Sequence, residues 1–158
     1  MKLTPFKSDE YHYLIDWITT PKFNYQWGGP AFNFPLTYEQ IEKHCSNQDI
    51  SPFLFHCEGQ LAGYIEFRKM PSNSCRICRV LILEGFRGKG VAKEMLQLLI
   101  STAKQETGCN KFSLSVFEHN TAAVQLYTSL GFNLTERTVR PENLCGKTWV
   151  ALEMEARL

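Results

Sequence analysis

Residues 80–93 constrain this 158-residue chain more than any other stretch. Val80, Leu81, Ile82 and Leu83 form a continuous apolar run, the pattern of a strand buried on both faces. Past Gly85, Gly88 and Gly90, apolar residues recur at Val91, Met95, Leu98 and Leu99, the spacing of one helical face. Strand, glycine-bearing turn, helix: this order aims the first helical N–H groups at whatever occupies the turn. Those groups lack intrahelical partners and carry the positive end of the helix dipole. Gly88 and Gly90 leave the backbone open to close approach, and Arg87, Lys89 and Lys93 add positive charge. The stretch reads as a site for phosphate or pyrophosphate.

Two phosphate loops fail the test of spacing. A Walker-type loop needs Ser or Thr after its lysine to hold magnesium, and Gly90 follows Lys89. A dinucleotide fingerprint needs a third glycine three residues after the second, where this chain has Lys93. Nucleotide hydrolysis and hydride transfer both lose ground.

Composition narrows the class. The chain is 44% hydrophobic and 21% charged, as an ordinary globular protein is, and its length suits a single domain over residues 1–158. A formal net charge of +1 speaks against nucleic acid and membrane surfaces as partners. No apolar run approaches the roughly 20 residues that span a bilayer. Met1, Lys2, Leu3, Thr4 and Pro5 contain no apolar signal core, so a cytoplasmic protein, monomeric or homodimeric, is expected. Six cysteines, at 45, 57, 75, 78, 109 and 145, are then expected to be free thiols. Cys75 and Cys78 have C-x-x-C spacing without a second pair, and His12, His44, His56 and His119 show no ligand spacing, so no metal is expected.

Along the chain, residues 3–6 read as a strand, followed by a helix with Tyr11, Leu14, Ile15 and Ile18 as its stripe and Pro21 as its stop. Residues 23–35 carry four aromatics beside Trp27, broken by Gly28, Gly29, Pro30 and Pro35, and read as an irregular loop. Thr37 and Gln40 have capping-box spacing ahead of a second helix that ends near Cys45. Residues 53–57 and 61–68 read as a hairpin around Glu58 and Gly59, with a further strand over 76–83. The long helix stops at Gly108; a strand with alternating Phe112, Leu114 and Val116 follows, then a helix carrying Ala123, Leu126, Tyr127 and Leu130 on one face. Residues 132–140 and 148–154 read as the last two strands.

Arg87-Gly88-Lys89-Gly90-Val91-Ala92 fits Arg/Gln-x-x-Gly-x-Gly/Ala, and Asn120, Ala123, Tyr127, Gly131 and Phe132 fit Asn-x-x-Ala-x-x-x-Tyr-x-x-x-Gly-Phe. In this order and spacing, the two patterns resemble the signatures of the GNAT superfamily of N-acetyltransferases, over about residues 60–135. The chain is similar to the branch holding ribosomal-protein N-terminal acetyltransferases and many small-amine acetyltransferases. The resemblance implies an α/β (α+β) GNAT fold: a mixed, mostly antiparallel sheet of six to seven strands, splayed between the fourth and fifth, with four flanking helices. It also implies acetyl-CoA as co-substrate, its pyrophosphate held by Arg87, Gly88, Lys89, Gly90, Val91, Ala92 and Lys93. Val80, Leu81 and Ile82 match the strand that pairs with pantetheine, and Asn120 matches a coenzyme contact.

Acetyl transfer to a primary amine needs a neutral amine, a donor for the developing oxyanion and an acid for the departing thiolate. Tyr127 matches the family's general acid. The base is less clear in the residues. Several members place a glutamate where this chain has Ser115, and Glu66, in the apolar strand 62–67, is the leading substitute. Burial is expected to raise its pKa toward use as a base; a solvated carboxylate on an edge strand is the plainer alternative. Glu84, Glu118 and His119 rank behind it. Trp27 and its neighbours fall in the region that usually shapes the acceptor pocket, or else pin their loop to the core. Two functions therefore stand: an N-acetyltransferase acting on a small amine or a peptide or protein N-terminus, and a coenzyme A-binding sensor that has lost its base.

Overall fold

The computed structural model describes residues 1–141 and 146–158. The elements are β1 (Lys2–Pro5), α1 (Tyr11–Trp17), α2 (Pro21–Gly28), α3 (Tyr38–Cys45), β2 (Ile50–Cys57), β3 (Gln60–Met70), β4 (Ser74–Ile82), α4 (Val91–Thr107), β5 (Lys111–Phe117), α5 (Thr121–Ser129), β6 (Asn133–Val139) and β7 (Val150–Arg157). One sheet runs in the order β1-β2-β3-β4-β5-β7-β6. Every neighbouring pair is antiparallel except β4 and β5, which run parallel.

Among the described residues five helices flank the sheet where four were expected, and the extra one is α2. Pro21 does not stop α1; it opens α2 at the first turn, where its missing N–H costs nothing, and the Thr20 side chain caps the Phe23 amide. The aromatic stretch is thus helical to Gly28. The second helix starts at the expected cap, Thr37 accepting from the Gln40 amide at 3.3 Å. Gln40 does not close the box. Its amide group bonds the Asn33 N–H and the Pro35 carbonyl instead, tying the preceding loop to α3.

Alternation along the strands divides the core between the two faces of the sheet. On one face Phe53, Phe55, Ile65, Phe67, Cys75 and Ile77 pack against Val91, Met95, Leu96, Leu99 and Ile100 of α4. On the other, Leu54, Tyr64 and Leu81 pack against Tyr11, Leu14, Trp27 and Ile41 from α1, α2 and α3. Ile77 and Leu81 are four apart and should share a face, yet they sit on opposite ones. The reason is a β-bulge: Tyr64 pairs with Leu81 and Glu66 with Cys78, so Arg79 and Val80 oppose the single residue Ile65. One inserted residue flips every side chain beyond it. The apolar run 80–83 is therefore not buried on both faces as expected; within it only Leu81 is buried.

Cys45, Cys57, Cys75, Cys78 and Cys109 are free thiols, and Cys75 and Cys78 both lie within β4. Cys145 and much of the expected final loop lie outside the described residues. Among those residues no helix is long and apolar enough to cross a membrane.

Candidate active site

β4 and β5 pair only from Ser74–Lys111 to Arg76–Ser113 and then part. Beyond the last pair, the backbones of residues 77–80 and 114–117 lose their shared ladder and line a cleft of about 650 Å³. α2 closes one side of it with Tyr25, Trp27, Gly28 and Gly29, while Asn120, Tyr127 and Ala151 close the other. The cleft exists because parallel strands that stop pairing leave unpaired N–H and C=O groups, which need a partner.

At the far end of β4 the chain passes through a 3-10 turn, Glu84–Phe86, into α4. Gly88 and Gly90 have φ of 73° and 75°, and Gly90 is the N-cap of α4. Glycine is required here by the left-handed backbone; a Cβ at either position would meet nothing within 4 Å. The 17-residue helix thus presents its first amides at an exposed turn. Arg87 and Lys89 are not loose charges: Arg87 Nε donates to the Ile82 carbonyl at 3.0 Å and Lys89 Nζ to the Gly85 carbonyl at 2.9 Å. Both side chains stiffen the turn they decorate.

Asn120 caps α5, its Oδ1 accepting from the Ala123 amide at a long 3.4 Å, while the residue also lines the cleft. Tyr127 is the buried residue of α5, 6% exposed, with its ring edge-on to Phe132 at 6.1 Å. Burial alone pushes its phenol far above the ordinary tyrosine value. Ser115 is exposed and lines the same cleft.

Glu66 is neither of the things expected of it. β3 is an inner strand, flanked by β2 and β4, so its carboxylate is not on a solvated edge; it is fully buried. Nor is its pKa raised. Burial pushes it up, but the His44 hydrogen bond and the Arg79 charge, with help from the Tyr64 hydroxyl, hold it below the ordinary carboxylate range. His44 Nε2 lies 3.0 Å from both carboxylate oxygens, the Tyr64 hydroxyl donates at 2.7 Å, and Arg79 Nη1 closes an ion pair. A buried carboxylate with this many donors is a fixed anion.

Arg79 is the residue that sequence reasoning missed. It occupies the bulge at φ 52°, lines the cleft and is mostly buried, its guanidinium 5.3 Å from the centre of the Phe32 ring. One signal was available: a charged residue in register with the buried Cys75, Ile77 and Leu81 breaks the alternation. Trp27 and Phe32 pack into the core, and Trp27 with its neighbours from Tyr25 to Pro30 also lines the cleft, so their stretch both packs and lines.

A model of the Acetyltransferase (GNAT) family matches residues 11–132. The chain belongs to that family. The acetyltransferase fold extends past the match. The spermidine N-acetyltransferase of Vibrio cholerae, solved with CoA and spermine, superposes with a TM-score of 0.83 over 99% of this chain and 94% of that one, at 17% identity. A ribosomal-protein-alanine N-acetyltransferase from Brucella melitensis superposes over the whole of both chains with a TM-score of 0.77, also at 17% identity. In sequence, a spermine/spermidine N(1)-acetyltransferase of Bacillus subtilis is 32% identical over 88 residues, which span 51% of this chain and 58% of that relative. The Escherichia coli K12 spermidine N(1)-acetyltransferase is 24% identical over 136 residues, spanning 85% and 73%.

Proposed function

We propose that this acetyltransferase-family chain moves an acetyl group from acetyl-CoA to an amine by direct attack in a ternary complex. The observation that carries the reading is the parting of β4 and β5, with Tyr127 and Asn120 on the rim of the gap. The coenzyme supplies an activated acyl carbon and a thiolate leaving group. The amides opening α4, shaped by Gly88 and Gly90 and stiffened by Arg87 and Lys89, suit its pyrophosphate. Val91, Ala92 and Lys93 form the first helical turn there. The unpaired edge of β4, above all Val80 at the bulge, suits the pantetheine arm and an N–H bond to the thioester carbonyl.

Tyr127 is the proton donor to sulfur, and the proton that the attacking nitrogen sheds on becoming an amide restores the phenol. A primary amine is neutral only near and above a pKa of about 10. A phenol pushed up by burial keeps its proton through that range, so nucleophile and acid coexist in their reactive forms. Glu66, the base candidate, serves on this reading as the fixed partner of Arg79 rather than as the proton acceptor. Arg76, Arg79 and Arg140 line the cleft, and among the described residues no carboxylate does. Arg79 is paired with Glu66 and Arg76 with Glu153, so the lining offers a polycation such as spermine no free carboxylate, which favours a peptide N-terminus or a small amine.

The test is release of free thiol from acetyl-CoA across polyamines, amino acids, aminoglycosides and short peptides. Turnover is expected, fastest outside the polyamines. The lining without a carboxylate also favours the second reading, a coenzyme A-binding sensor. Stabilisation by acetyl-CoA with no thiol release from any amine would establish that one instead.

A further inference from the structure

We infer that Arg79 is the positioning residue of the acyl site, with buried Glu66 as its anchor; the inference rests on the acetyltransferase reading above. A side-chain-bearing residue at φ 52° in the middle of a strand is out of place, since strands are built from extended backbone. Arg79 is held there from both ends. Its carbonyl accepts the Trp27 indole N–H at 3.1 Å, and its guanidinium pairs with Glu66 and lies over Phe32. Glu66 is in turn fixed by Tyr64 from its own strand and by His44 from α3, whose ring meets Phe32 edge-on at 4.9 Å. β3, α2, α3 and the loop after α2 therefore all bear on one backbone conformation.

That conformation is the bulge. Without it Val80 would pair with β3 in the regular ladder, and its N–H would no longer be spare. Released from Glu66, Arg79 is expected to relax to extended backbone and take Val80 with it. The glycine turn that begins after Ile82 is held separately, by its own positive-φ glycines and the Arg87 bond to the Ile82 carbonyl, and is not part of the clamp.

Glycine separates this role from bulk destabilisation, because it adopts positive φ without a side chain to hold it. With acetyl-CoA and acceptor saturating, Arg79→Ala and Glu66→Gln are expected to lower kcat at least tenfold. Arg79→Gly is expected to recover most of the Arg79→Ala loss, and Glu66→Gln to cost little more in the Arg79→Gly background. The acetyl-CoA dissociation constant should move less than threefold in all of them. Equal kcat in the Gly and Ala variants, or kcat and coenzyme affinity falling together, overturns the inference.

A second readout does not need turnover. The Val80 amide resonance in the wild type should differ between CoA-bound and acetyl-CoA-bound protein, a difference kept in Arg79→Gly and lost in Arg79→Ala. A Val80 amide indifferent to the acetyl group in the wild type also overturns the clamp. Absence of thiol release with any amine instead overturns the enzymatic reading and leaves this amide comparison to decide the clamp.

Discussion

Tyr127 and Glu66 show how burial sends two ionisable groups to opposite ends. Tyr127 meets only desolvation, so it stays neutral and keeps a proton to give. Tyr127→Phe is expected to cut kcat roughly tenfold or more while leaving acetyl-CoA affinity unchanged. The wild-type rate should rise with pH as the amine deprotonates, with no falling limb from Tyr127 below the ordinary tyrosine value of about 10; stopped assays of thiol release against pH check both. Glu66 meets desolvation and a stronger set of donors, so it stays charged. Removing that charge strands the largely buried Arg79, and Glu66→Gln is expected to cost about 3 kcal/mol in urea unfolding at pH 7. The sign of the pH dependence follows from the lowered pKa. The contribution is complete above the unfolded carboxylate value of about 4.3 and is lost as pH falls through the folded value. The gap between wild type and Glu66→Gln should therefore narrow only in acid, and a gap that widened there would contradict the ion pair.

At the scale of elements, the β3–β4 pair sets the geometry of the site. Gly63 faces Ile82 just beyond the bulge, and a Cβ on it would lie 2.2 Å from the Leu81 carbonyl oxygen, a backbone atom that cannot swing aside. Gly63→Ala is expected to destabilise the fold by at least the ~1–3 kcal/mol typical of overpacking. It should also lower kcat, because relief of the clash moves the strand that carries Val80. Thermal unfolding and saturating kinetics on the same preparation check the pair of effects. The helices were legible to different degrees for a physical reason. The stripe of α4 and the Asn120 cap of α5 are local signals. α2 was hidden because Pro21 is equally compatible with ending one helix and beginning the next, and its short apolar face is completed only by packing on β4.

Across the whole molecule, the cleft opens along the second half of β4 and the glycine turn follows directly after Ile82, so the proposed coenzyme would run from the cleft to the start of α4 as one extended ligand. Acetyl-CoA at about 100-fold excess over its Kd should stabilise the fold by roughly 2.7 kcal/mol, read as a rise in unfolding temperature. ATP, which offers phosphates but no pantetheine arm, should give much less; equal stabilisation would place the grip in the turn alone.

By itself the sequence determined the strand–turn–helix at residues 80–93, the spacing to Asn120 and Tyr127, and through them the family and the fold class. Those features are carried by neighbours in the chain, where glycine, cap and periodicity act over a few residues. Tertiary structure alone decided the fate of Glu66, the bulge at Arg79 and the existence of α2. Each depends on partners 13 to 52 residues away, such as Arg79 to Glu66 and Trp27 to Arg79, and a carboxylate becomes a base or a fixed anion according to the donors that folding brings to it.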